Sequence, residues 1–98
     1  MRAAFEEAAE AFRKGGVDGW QTSAARIRTC LDRWEGTTKG KDVTFGHDDP
    51  LHVRMRKLRQ AVREVTHYAH HETAAQWTRE DALVLLAATA ALLAREGL

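Results

Sequence analysis

Cysteine is almost missing from this 98-residue chain, where Cys30 stands alone. A single cysteine forms no internal disulfide and completes no cysteine-based zinc site, and a reducing compartment is its simplest setting. Proline occurs once, at Pro50, and aromatic residues make up only 7% of the chain. An excess of one charge is missing too: 15 Lys and Arg against 14 Asp and Glu leave a net charge of +1. Bulk electrostatics therefore points to neither nucleic acid nor an anionic membrane surface. There is no long hydrophobic run, since the longest, Ala82 to Ala94, has 13 residues including a threonine. A membrane span needs roughly 20. The N-terminal text MRAAFEEAAEAF carries three glutamates where an export signal needs an apolar core, so a cytoplasmic protein with no membrane association is expected.

What is present is helix-forming text with 44% hydrophobic and 30% charged residues, the composition of one ordinary globular domain over residues 1–98. Residues 3–14 place Phe5, Ala8, Ala9 and Phe12 on one face, with glutamates early and Arg13 and Lys14 late, in keeping with the helix dipole. Gly15-Gly16 ends this segment, because glycine takes a left-handed C-cap cheaply. Asp18, with Gln21 three residues on, reads as the cap of a second helix running to about Glu35. Trp20, Ala24, Ile27, Leu31 and Trp34 form its core seam, and Cys30 beside them reads as a small buried apolar residue. Residues 36–50 form a long loop that Val43 and Phe45 would tack to the surface, ending in Asp49 as cap and Pro50 at a first turn.

The third helix organises the chain. Leu51, Met55, Leu58, Val62, Val65 and Ala69 recur as an apolar seam, and the helix is expected to end between His70 and Thr73. Arg56, Arg59, Arg63, His67 and His70 form a second row of cations and imidazoles. Residues 51–71 carry five Lys and Arg against Glu64, a local charge of +4, whereas residues 72–98 carry two arginines against four acids. Thr78 with Asp81 caps a fourth helix, and Trp77 before it reads as a hydrophobic staple. Leu83, Leu86, Ala90 and Leu93 make one stripe on that helix, and Leu85, Ala88 and Leu92 a second. Two stripes imply more than one neighbour, with alanines permitting close approach. The expected fold is all-α, a four-helix up-and-down-like bundle with the long loop between helices 2 and 3.

The third helix offers residues for two chemistries. His67 and His71 stand at i, i+4, a spacing that can chelate zinc, but two imidazoles do not close a site, so neither metal nor other cofactor is expected. The loop text GHDDPLH, with His47, Asp48, Asp49 and His52, is accounted for by helix capping. Alternatively, His70 shuttles the proton of a 2′-hydroxyl near neutral pH while Arg63 holds the phosphate with its planar fork of donors. The plainer reading of the same residues pairs Arg63 with Glu64 or a neighbouring acid and leaves the histidines to cap and solvate the helix end.

The text over residues 58–95, LRQAVREVTHYAHHETAAQWTREDALVLLAATAALLAR, resembles the HEPN superfamily, in which an Arg, a few residues and a His end one helix before an alanine- and leucine-rich closing helix. Arg63 and His70 supply that pair, with six residues between them and Glu64 where active members usually carry Asn, Asp or His. The resemblance implies a homodimer that juxtaposes two such pairs and cuts RNA without a metal, in a bacterial toxin or defence setting with a cognate antitoxin or other protein partner. On that reading Arg63 and His70 are catalytic, and Arg56, Arg59, His67 and His71 bind RNA. The resemblance equally allows the alternative, a non-catalytic helical interaction or dimerisation domain.

Overall fold

A computed structural model describes residues 1–35, 43–67 and 77–98. These hold four helices, α1 (Arg2–Lys14), α2 (Gly16–Glu35), α3 (Leu51–Val65) and α4 (Arg79–Arg95). With a Cα radius of gyration of 13.3 Å, the chain is as tight as a globular domain of this length should be. No described helix is long and apolar enough to cross a membrane.

The first two helices pack along most of their length because the residues between them are small. Ala4, Ala8 and Ala11 are the buried residues of α1, while Phe5 is only partly buried against the core. The expected Phe5–Phe12 face is thus rotated in favour of the alanines, which let the backbones approach. Ser23, wholly buried, donates its hydroxyl to the Ala8 carbonyl across this seam at 2.8 Å. Gly19 lies so close to α1 that a Cβ there would stand 2.8 Å from the Ala11 carbonyl oxygen. Gly15, at φ 73°, terminates α1, and its amide reaches the Ala11 and Phe12 carbonyls. The second helix begins immediately, at Gly16, so Asp18 sits inside its first turn rather than capping it. Two adjacent glycines with positive φ make the turn by themselves.

Contacts at both ends of each pair fix the topology. Ala8 meets Ser23 and Ala11 meets Gly19, so α2 runs antiparallel to α1. Arg63 reaches Asp32 and Arg59 reaches Trp34, so α3 runs back along α2. Leu93 packs with Ala4, and Arg79 lies over the Phe12 ring at 5.3 Å, so α4 is antiparallel to α1. The result is the expected all-α up-and-down bundle. Its core is Ala8, Ala24, Ile27, Leu31, Val62, Trp77, Leu85 and Leu92, with Trp20, Trp34 and Met55 packed against it. Cys30 is fully buried, and desolvation holds its thiol above the ordinary value, as expected of an inert core cysteine.

Three details differ from the sequence expectations. Asp49 does not cap α3, whose N-cap is Pro50 without a side-chain bond. Its carboxylate instead accepts from the Gly46 amide at 2.7 Å and from Lys57 Nζ at 2.6 Å. Residues 43–50 are held by α3 itself rather than by Phe45, which is 46% exposed. Arg54 donates to the carbonyls of Asp49, Gly46 and His47, and Lys57 to that of Thr44. Finally, α3 stops at Val65, short of the expected His70 to Thr73. At this end the Arg63 carbonyl accepts the Thr66 hydroxyl and Arg28 besides a backbone amide of the C-cap. Residues 66 and 67 tighten into a 3₁₀ turn. The capping box of α4 forms as expected, with Asp81 N on Thr78 Oγ1 at 3.1 Å and Thr78 N on Asp81 Oδ2 at 3.0 Å.

Candidate functional site

On α3, the residue types read as a seam and the residue types read as a working face change places. Met55 and Val62 pack inward, but Leu51, Leu58 and Val65 are exposed. Ala69, the last of that seam, lies outside the described residues. The cause is on α2. Asp32 draws the Arg63 guanidinium inward, bonding its Nε, and Trp34 takes the Arg59 guanidinium at 4.2 Å from its ring centroid. Two attachments four residues apart roll the helix so that this part of its cation row faces the bundle.

Arg63 is 8% exposed, and besides Asp32 it holds Glu64 through Nη1 at 3.2 Å. A guanidinium so placed is satisfied on two sides by carboxylates and joins α2 to α3. Arg28 strengthens the same junction by donating to the Arg63 carbonyl and, at 3.5 Å, to Thr66 Oγ1. Of the other residues proposed for RNA, Arg56 and His67 are exposed, at the outer side of α3 and in the turn after it. His70 and His71 lie outside the described residues, so their relation to Arg63 is not part of this geometry. Arg54 and Lys57 secure the loop. Much of the local positive charge is therefore engaged within the fold. Among the described residues no group of three His, Cys, Asp or Glu side chains is placed to hold a metal.

Sequence reasoning missed Asp32 as the partner of Arg63. The signal was the one carboxylate flanking the α2 seam between Trp20 and Trp34, Asp32 beside Leu31, where an acid can meet a cation on a neighbouring helix.

A second surface stands out on α4. Ala82, Leu85, Thr89, Leu92 and Leu93 face inward. The opposite face presents Leu83, Val84, Ala87, Ala91 and Ala94, all exposed. Between Asp81 and Arg95 every exposed residue of this helix is apolar. Val84 is 65% and Leu83 38% exposed. The spacing follows a single stripe, and polar residues occur only at its ends. By contrast, Leu51, Leu58 and Val65 on α3 stand seven residues apart, with the exposed Glu64 and the half-buried, loop-bound Arg54 and Lys57 beside them. Isolated apolar residues among charges are ordinary protein surface.

A cleft of about 290 Å³ adjoins the α4 stripe; its wall is mostly apolar, with Met1, Phe5, Ala90, Ala94 and Leu98, and also includes Arg2 and Glu6. It extends the apolar surface from α4 toward α1. The α4 stripe was partly legible, because text without a polar residue from Ala82 to Ala88 must place aliphatic side chains on every face. Comparison of the chain with family models, with curated proteins and with solved structures finds no match.

Proposed function

We propose that this chain is a non-catalytic helical interaction domain that docks through the outer face of α4. The observation that carries the reading is the unbroken run of exposed apolar residues, Leu83, Val84, Ala87, Ala91 and Ala94. A helix that is apolar on all sides is ordinarily covered on all sides. Covering each of the two larger side chains returns on the order of 1 kcal/mol at ~25 cal/mol per Å² of apolar area. The alanines between them let a facing helix come close.

Photo-cross-linking tests the reading in cells, with benzoylphenylalanine replacing Val84 and, as a control, the exposed His52 in the first turn of α3. The expected result is a discrete cross-linked species from position 84 and none from position 52. Cross-linking from position 84 no different from the control would remove the interaction reading.

The ribonuclease expectation is the competing proposal. It requires Arg63 to leave Asp32 before it can hold a phosphate, or else requires the arginine to act only as a brace. Its own test is cleavage of labelled RNA in EDTA by the wild type and by Arg63→Ala and His70→Ala. Cleavage lost in both variants, with helicity retained by circular dichroism, would put that reading first. No cleavage by the wild type is the result the interaction reading expects.

A further inference from the structure

The outer face of α4 is complementary to itself, and on that ground, resting on the interaction reading above, we propose that its partner is a second copy of the same chain, paired antiparallel about a two-fold axis beside Ala87. The stripe is asymmetric along its length. Its N-terminal half carries the bulk, Leu83 and Val84, and its C-terminal half carries only Ala91 and Ala94. An antiparallel pair centred on Ala87 lays Leu83 and Val84 of each copy over Ala91 and its neighbours on the other, bulk against hollow. The smallest side chains, at the centre, set the closest approach.

Charge follows the same symmetry. Glu80 lies in the first turn of α4 and Arg95 in its last, and both are exposed. The antiparallel register brings Glu80 of each copy beside Arg95 of the other, and it sets the two helix dipoles head to tail. Arg95 already lies 2.9 Å from Glu96, but that neighbouring pair is solvent-exposed on both sides and yields readily. A parallel pair would oppose Glu80 to Glu80 and Arg95 to Arg95, and bulk to bulk. It has neither complementarity.

Other occupants fit less well. A helix lying on a lipid surface carries Lys and Arg along its polar flank. The stripe ends in Arg79, Glu80 and Asp81 on one side and in Arg95 and Glu96 on the other, with no basic row between. From Leu83 to Ala94 the stripe runs roughly 17 Å at 1.5 Å per residue, which places the contact at the small end of specific interfaces. The adjoining cleft beside Phe5 and Leu98 enlarges it. A contact of that size suits a weak dimer, with dissociation on the order of micromolar or above.

Sedimentation equilibrium on the purified chain, from about 5 to about 500 µM, brackets that affinity. The expected result is a monomer–dimer equilibrium that Ala87→Arg weakens at least about tenfold, since two arginines would meet at the axis while an exposed helix position leaves the fold unchanged. A monomer throughout the range overturns the second-copy proposal, and so does a dimer indifferent to Ala87→Arg. Orientation is read by mixing Val84→Cys with Ala91→Cys under mild oxidation, with the buried Cys30 out of reach. A mixed 84–91 disulfide is expected, and preferential 84–84 linkage overturns the antiparallel register. The outcomes separate from those in cells. A cross-link from position 84 to a different protein, with a monomeric purified chain, retires the second copy and keeps the interaction domain. No cross-link from position 84 retires the interaction reading itself.

Discussion

Thr89 shows most simply how a single group sets a local energy in this bundle. It is wholly buried in α4, and its hydroxyl has no hydrogen-bond partner among the described residues. An unsatisfied buried hydroxyl costs on the order of 1–3 kcal/mol, and valine has nearly the same shape without it. Thr89→Val should therefore stabilise the fold by about 1 kcal/mol, read as a higher urea midpoint with an unchanged slope. A lower midpoint would show that the hydroxyl is bonded after all. Arg63 is the opposite case, a buried charge held by two carboxylates. Removing its counterion by Asp32→Ala should cost about 2–3 kcal/mol, below the range for fully buried pairs because the Asp32 side chain retains 30% exposure. Replacing both, Asp32→Leu with Arg63→Met, should recover most of that loss. If the single substitution left the urea midpoint unmoved, the ion pair would not be what rolls α3.

The elements were legible to very different degrees, for reasons that lie in which interactions are local. Helices α1, α2 and α4 follow from glycine breaks, dipole-ordered charges and the Thr78–Asp81 box, all contained within a few residues of the text. The all-α bundle follows from them. The roll of α3 was not legible. Its amphipathic pattern favours burying Leu51, Leu58 and Val65, but a carboxylate on another helix and an indole ring outweigh that pattern by attracting Arg63 and Arg59. Nothing within the α3 text encodes those partners. The engagement of Arg59 and Arg63 was not legible for the same cause, since a stripe of cations looks available until its partners are seen. Gly19 makes a similar point about helix packing. Propensity alone favours Gly19→Ala by up to ~1 kcal/mol. The added Cβ would press on the Ala11 carbonyl oxygen at 2.8 Å, so the variant should be less stable by about 1–2 kcal/mol, with a lower thermal midpoint. A raised midpoint would mean that α1 and α2 are not in such close contact.

Acid should loosen two elements before the core. Hydrogen bonds from Lys57 and from the Gly46 amide hold the Asp49 carboxyl below the usual aspartate range. Bonds from the Thr78 backbone and side chain do the same for Asp81. Both folded-state values are depressed, so both groups add stability above the ordinary aspartate value and lose it as pH falls through their lowered values. The first amides of α4 and those of residues 46–49 should then exchange faster with solvent in strong acid while the Ile27 and Leu31 amides stay protected. Uniform loss of protection would assign the acid response to the bundle as a whole.

At the scale of the whole molecule, three helices divide the inward surface and the fourth serves two sides. The inner face of α4 closes the core through Leu85, Leu92 and Leu93, while its outer face carries an apolar stripe with charges only at the ends. Function on this reading belongs to a surface rather than to a pocket, which is consistent with cations engaged by carboxylates, carbonyls and an indole ring. The most direct measurement is a dilution series of amide nitrogen–proton correlation spectra on the isotopically labelled chain. Concentration-dependent shifts should gather at Leu83, Val84, Ala87, Ala91 and Ala94, with weaker ones at Glu80, Arg95 and Phe5. Shifts that gather instead along Leu51, Leu58 and Val65, or spectra that do not change with concentration, would contradict the assignment of the α4 face to a second copy.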